Sequence, residues 1–277
     1  MSLKSKKNTV ALVGIPYDEN SSYLQGAATA PQKIREALHC GSANLCSESG
    51  IDLGNHALFT DLGDLELEGF PAPLETVELF AAQLLKRQVR ILSLGGDHSI
   101  TPAVLRAYSK KYDGLNLLQF DAHPDLYNEF EGNRNSHACP FARIMEEKLV
   151  KRLVQVGIRT MNSHQHEQAE RFGVEVIDMK SWRPGIGFDF SGPLYISFDM
   201  DALDPAFAPG VSHHEPGGFS TREVLTMIQN IDVPVIGADI VEFNPLRDTS
   251  GITAMVAAKL LKELFSKMNV NNKRALS

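Results

Sequence analysis

Apolar side chains run along this chain in two alternating rhythms. Short unbroken apolar runs, of the kind buried on both faces of a parallel sheet, alternate with segments whose apolar residues recur at helical spacing. The runs predict strands at residues 9–15, 90–94, 115–120, 153–156, 174–177, 194–198 and 233–240. Helical spacing predicts helices from near Ala30-Pro31, over 74–87, from Thr101-Pro102 to about residue 112, and at about 163–172, 221–231 and 252–265. Pro31 suits a first helical turn, where its missing N–H costs nothing, and Thr101 reads as an N-cap. No linker, repeat or low-complexity segment interrupts the pattern. Such alternation predicts one doubly wound α/β domain over residues 1–277, with a mostly parallel sheet between helices. Sites in open parallel sheets lie just beyond the carboxyl ends of the strands, so the residues that follow each run matter most.

Composition narrows the partners. With 43% hydrophobic and 22% charged residues in 277, the chain has ample core and is not a disordered one. A net charge of -7 offers no broad basic face for nucleic acid, yet would not repel a cationic small molecule. Residues 1–7 are polar and basic, and no apolar segment of the kind a signal peptide needs follows them. No apolar run reaches the length of a membrane span. Cys40, Cys46 and Cys139 show neither metal-type pairing with histidine nor a disulfide framework. These features together lead us to expect a cytoplasmic protein with reduced thiols.

The strand ends carry the chemistry. "ILSLGGDHS" delivers Asp97 and His98; "LLQFDAHPD" delivers Asp121, His123 and Asp125; "LYISFDMDALDP" delivers Asp199, Asp201 and Asp204. A fourth, "VIGADIVEFNP", delivers Asp239 and Glu242. Alternate residues of an extended segment share a face, so Asp121, His123 and Asp125 can converge, as can Asp199 and Asp201. A lone aspartate after a strand is ordinarily a cap or turn residue, and Asp97 and Asp204 fit that description. Three strand ends with such groups in one domain do not. Crowded carboxylates repel, and burying them without a counter-charge is expensive, so the pattern points to bound cations. The ligands are mostly oxygen, with imidazole and no thiolate, which suits manganese, iron(II) or cobalt, and the carboxylate count suits two ions. A paired-metal site lowers the pKa of water, so hydrolysis is the leading reaction. Glu242 adds one more anion, which disfavours a phosphoester and suits a guanidinium, whose parallel N–H donors match a carboxylate fork.

The segments "GGDHS", "DAHPD" and "SFDMDALDPAFAPG" closely resemble the three signatures of the ureohydrolases, the arginase and agmatinase family of binuclear manganese enzymes. The resemblance runs from "GAATAPQKIREAL" to "GADIVEFNP" and the helix beyond, and is nearest to plant-type arginases and agmatinase-like members. It implies a three-layer α/β/α arginase-type fold, assembled as a homo-oligomer, a trimer or hexamer. It implies two Mn2+ ions, one held by His98, Asp121, Asp125 and Asp199, the other by Asp121, His123, Asp199 and Asp201. Glu242 would hold the guanidinium, Asp125 would pass a proton to the leaving amine, and His137 in "NSHA" would shuttle protons to solvent.

The tail of the substrate is less defined. Tyr127 stands where animal-type arginases place an asparagine, and Thr160, Met161 and Asn162 stand where they carry acids. Ser212-His213-His214 replaces a common Gly-Thr-Pro, which brings His213 to the substrate side. Asn128, Asn135 and Arg134 lie in the loop where carboxylate contacts would be made, with Arg134 offering a fork. The resemblance favours arginase, cleaving L-arginine to L-ornithine and urea. Agmatinase, another guanidino-acid amidinohydrolase, and a metal-poor binding member of the fold are the alternatives.

Overall fold

The apolar runs become the middle of a sheet. The computed structural model describes residues 9–274 of the chain. Eight strands form: β1 (Val10–Gly14), β2 (Phe59–Asp64), β3 (Arg90–Leu94), β4 (Asn116–Phe120), β5 (Arg152–Ile158), β6 (Glu175–Asp178), β7 (Leu194–Asp199) and β8 (Val235–Val241). Every residue of β1, β3, β4, β7 and β8 is buried, as expected for central strands covered on both faces. The order across the sheet is β2-β1-β3-β8-β7-β4-β5-β6, and each pairing is parallel.

Helices α1 (Ala30–Leu38), α6 (Thr221–Asn230) and α7 (Ile252–Arg274) cover one face. They bury Ile34, Leu38, Ile228 and Leu264 against Leu92, Leu118, Phe120, Ile196 and Ala238. Helices α2 (Pro73–Lys86), α3 (Thr101–Ser109), α4 (Pro140–Glu146) and α5 (Ser163–Phe172) cover the other. There Val77, Val104, Phe141 and Ala169 belong to one cluster with Ile91, Leu117, Leu153, Tyr195 and Val241. Alternate strand residues thus feed the two cores, giving the three-layer α/β/α arrangement expected from the sequence.

Four details depart from that expectation. Strand β2 went unforeseen because it is a half-exposed edge strand with two aspartates and a glycine in "FTDLGD". Helix α4, only seven residues long, is too short to show a period. Helix α3 follows a 3-10 turn, His98–Ile100, whose cap is Asp97 accepting from Ser99 N–H, so Thr101 is not a cap; its hydroxyl donates to Asp239. Helix α7 runs to Arg274 rather than stopping near residue 265.

Candidate metal and substrate site

The order β3-β8-β7-β4 makes neighbours of the four strands whose ends carry acids and histidines. Gly96 lets the chain turn after β3: a Cβ there would lie 2.0 Å from the Tyr17 carbonyl oxygen. The turn is closed by Asp97 N–H donating to that carbonyl and by Glu242 N–H donating to Gly96 O. Two acidic residues beyond strand ends, Asp125 (φ 49°) and Glu242 (φ 63°), sit in the left-handed region. That conformation is uncommon outside glycine, asparagine and aspartate and concentrates at functional positions.

His98 is fully buried, with Nδ1 3.3 Å from Asp121 Oδ2, 3.3 Å from Asp125 Oδ2 and 3.2 Å from Asp199 Oδ2. Its other nitrogen explains what Nδ1 does. Ser197 donates its hydroxyl proton to the Asp239 carboxylate at 2.7 Å, so Ser197 Oγ accepts from His98 Nε2–H at 2.9 Å. In its neutral form, with the proton on Nε2 held by Ser197, the ring turns the Nδ1 lone pair toward three carboxylate oxygens, and Nδ1 makes no hydrogen bond. In that form the cage consists only of acceptors, so it takes a cation, a proton or a metal ion, at its centre. The spacing agrees, since neighbouring ligands on bonds of about 2.1 Å lie about 3 Å apart. A second group shares Asp121: His123 Nδ1 is 3.0 Å from Asp201 Oδ2 and 3.6 Å from Asp121 Oδ1. His98, Asp121 and Asp199 could hold one metal ion, and Asp121, His123 and Asp201 another.

Electrostatics point the same way. Burial alone would push the His98 imidazole down, but its three carboxylate neighbours raise it well above its usual value; His123 is raised likewise against burial, chiefly by Asp201. Burial, then Asp121, pushes the Asp125 carboxyl up to about 7, and burial with Asp201 and Asp121 raises Asp199 well above the carboxylate range. Groups that would rather hold extra protons near neutral pH are groups a cation can relieve.

One layer beneath runs a polar row that the sequence reading missed. Ser93, Asp239, Ser197, Gln119 and Gln155, all fully buried, sit side by side in register across β3, β8, β7, β4 and β5. Asp239 was read as a possible strand-end acid; it lies inside β8 and accepts from Ser197, Tyr195 and Thr101. Each of the five strands carries one of these polar residues inside its apolar run, and only the register places them side by side. Asp204 is the turn residue it resembled, accepting from the N–H groups of Ala206 and Gly217.

Over the ligand groups opens a cavity of about 180 Å³, the size for one small molecule rather than a peptide. Its lining includes His123, Asp125, Tyr127, His137, Asp199, Asp201, His213 and Glu242. Glu242 Oε1 accepts from His98 N–H at 2.7 Å and pairs with His137 Nδ1 at 2.8 Å; burial pulls the His137 ring down, but Glu242 carries it up to about 9. The His213 ring lies 5.3 Å from that of His137 and 5.9 Å from that of His123. Ser22 and Gln165 also line the cavity without having been foreseen. Ser22 faces His137 Nε2 with its N–H at 3.0 Å and its hydroxyl at 2.7 Å. Asn128, Arg134 and Asn135 are not among the lining residues. The Arg134 fork is taken up by Asn128 Oδ1 and Glu146, which draws it along the surface.

Fold and site together define an α/β enzyme with a candidate metal centre at its strand ends. The model of the arginase family matches residues 8–266. "Arginase 1, mitochondrial" of Arabidopsis thaliana is 48% identical over 285 residues, covering 96% of this chain and 83% of that protein. The proclavaminate amidinohydrolase of Streptomyces clavuligerus is 35% identical, covering 92% and 86%. Among solved structures, the arginase from Medicago truncatula superposes with a TM-score of 0.88 at 43% identity, covering 94% of this chain and 87% of that one. The chain belongs to the arginase family and is a ureohydrolase.

Proposed function

We propose that the protein is a manganese arginase, cleaving L-arginine to L-ornithine and urea, with residues 1–277 acting as one catalytic unit. The observation that supports the metal reading is the buried His98 Nδ1 within 3.3 Å of three carboxylate oxygens, from Asp121, Asp125 and Asp199. His98, Asp121, Asp125 and Asp199 would hold one Mn2+, and Asp121, His123, Asp199 and Asp201 the other, with Asp121 and Asp199 shared. Two ions held there would supply the positive charge that makes water a nucleophile at neutral pH. Glu242 binds and orients the guanidinium: it lines the cavity, and its hydrogen bonds with His98 N–H and His137 Nδ1 both use Oε1. Asp125, on the same wall, carries the proton from the attacking water to the leaving amine. His137 exchanges protons between the cavity and solvent, and Tyr127 and His213 flank the substrate's tail.

Agmatinase is the second reading, and one observation favours it. Among the described residues, no arginine or lysine lines the cavity to meet an α-carboxylate. Urea release from arginine and agmatine, measured side by side with manganese-loaded protein, decides between them. A higher kcat/KM on agmatine overturns the arginase assignment, and no urea from these two or from a panel of other guanidino acids overturns the hydrolase reading of this site.

We further propose a homo-oligomer, a trimer or hexamer, to be read from light scattering on the purified chain. The compartment we propose is the cytoplasm, on the grounds that Cys40, Cys46 and Cys139 are all free. The Arabidopsis relative is named mitochondrial, so recovery of the protein from organelles on fractionation would reverse that assignment. No helix of the described residues is long and apolar enough to cross a membrane.

A further inference from the structure

We propose that Gln155 and Gln119 are positioning residues that fix the orientation of Asp121, the carboxylate common to both ligand groups. The inference rests on the reading of those groups as a cation site. Gln155 Nε2 donates to Gln119 Oε1 at 2.5 Å and to the Pro124 carbonyl at 2.6 Å. Gln119 Nε2 then donates to Asp121 Oδ2 at 2.6 Å and to the His123 carbonyl at 3.1 Å. All four partners are acceptors, so neither amide can be turned over, and the relay has one direction: from Gln155 through Gln119 to Asp121.

The end of the relay is Oδ2, the oxygen that lies 3.3 Å from His98 Nδ1. The other oxygen, Oδ1, accepts from His123 N–H at 2.7 Å. Asp121 is therefore held from both sides, and its carboxylate plane cannot rotate without breaking a bond. The two glutamines also tie down the carbonyls of His123 and Pro124, and so the backbone of the loop that carries Asp121, His123 and Asp125.

A second observation marks the pair as more than filler. Gln155 Oε1 is buried with no hydrogen-bond partner. Leaving a buried acceptor unpaired is costly, and an apolar side chain of the same shape in β5 would avoid that cost. What an apolar side chain could not do is supply the two N–H bonds of the Gln155 amide.

The test uses the full chain and Mn2+ as the probe, with binding followed by titration and bound metal by elemental analysis. Gln119→Met, close in volume but without donors, should lose manganese affinity by about 10- to 100-fold, the range for lost partners of metal ligands. Its metal-free melting temperature should fall by several degrees, since Asp121 Oδ2, the His123 carbonyl and Gln155 Nε2 each lose a partner, so affinity is measured where the variant is folded. Gln155→Met should weaken binding in the same direction by less, and the double variant should bind close to Gln119→Met. Gln32→Met, at an exposed helix position, should change nothing. Unaltered manganese affinity in Gln119→Met overturns the proposal; should that variant fail to fold, unaltered affinity in Gln155→Met does so alone. An unaltered chain that takes up no manganese overturns the cation-site reading itself, and the inference with it.

Discussion

Replacing Glu242 by glutamine removes one charge from the cavity and little else. The residue is 5% exposed, and a glutamine oxygen can still accept from His98 N–H, where Oε1 now accepts at 2.7 Å. What goes is the carboxylate proposed to pair with a guanidinium. Losing one member of a buried, hydrogen-bonded charge pair costs about 2–5 kcal/mol. Because glutamine keeps the shape, we expect about 2–4 kcal/mol, or roughly 30- to 1,000-fold in kcat/KM. Both metals should remain, since Glu242 belongs to neither ligand group. The same change has a pH signature. His137 stands at about 9 against an ordinary 6.5, with Glu242 the largest of the groups that raise it, ahead of Asp125 and Asp97. A histidine raised in the folded state contributes stability that is complete below 6.5 and fades as pH rises through about 9. The span from 6.5 to about 9 corresponds to at most about 3 kcal/mol, since other groups share it. In metal-free protein, urea melts should therefore show Glu242→Gln less stable than the unaltered chain at pH 6, the gap closing toward pH 10. Cations would repel the imidazolium and shrink the effect, hence the chelator. A kcat/KM within threefold of the unaltered enzyme, lost metal, or a gap that widens with pH would refute the reasoning.

Three further changes have definite outcomes. Asp199→Ala removes an oxygen 3.2 Å from His98 Nδ1, so bound manganese should fall and urea release should drop about a thousandfold or more; normal turnover would sink the ligand assignment. Gly96→Ala drives a Cβ into the Tyr17 carbonyl, backbone that cannot swing aside, and should cost about 2–4 kcal/mol, seen as a Tm lower by roughly 5–15 °C; an unchanged Tm would show that the turn can shift. Arg134→Ala should change KM for arginine by less than about threefold, because its fork is held at the surface by Asn128 and Glu146, where such pairs contribute little; a tenfold rise would put Arg134 on the substrate.

What the sequence made legible was whatever burial writes in one dimension. Strand β3 begins and ends where the apolar run does, and the ligand-type residues fall beyond the strands because parallel strands deliver chemistry at their carboxyl ends. Edge strand β2 escaped because half of its surface is wet and its pattern is that of a loop. The polar row escaped for a different reason: a lone Ser93 or Gln119 inside an apolar strand means nothing until register sets it beside its neighbours. Arg134 shows the limit of reading a loop. Its sequence position suggested a fork over the substrate, while its direction depends on Glu146 in α4, a helix too short to anticipate.

The strand order also says when the site comes into being. His98 and Glu242 touch, yet 144 positions separate them, and β8 slots between β3 and β7 only after nearly all the other strands exist. A nascent chain that has emerged through residue 199 owns every ligand in a metal group except Asp201, but has no β8 to draw β3 toward β7 and β4. Metal uptake would therefore report completed assembly: chains that stall early offer scattered weak carboxylates, and only a finished sheet brings the candidate ligands together.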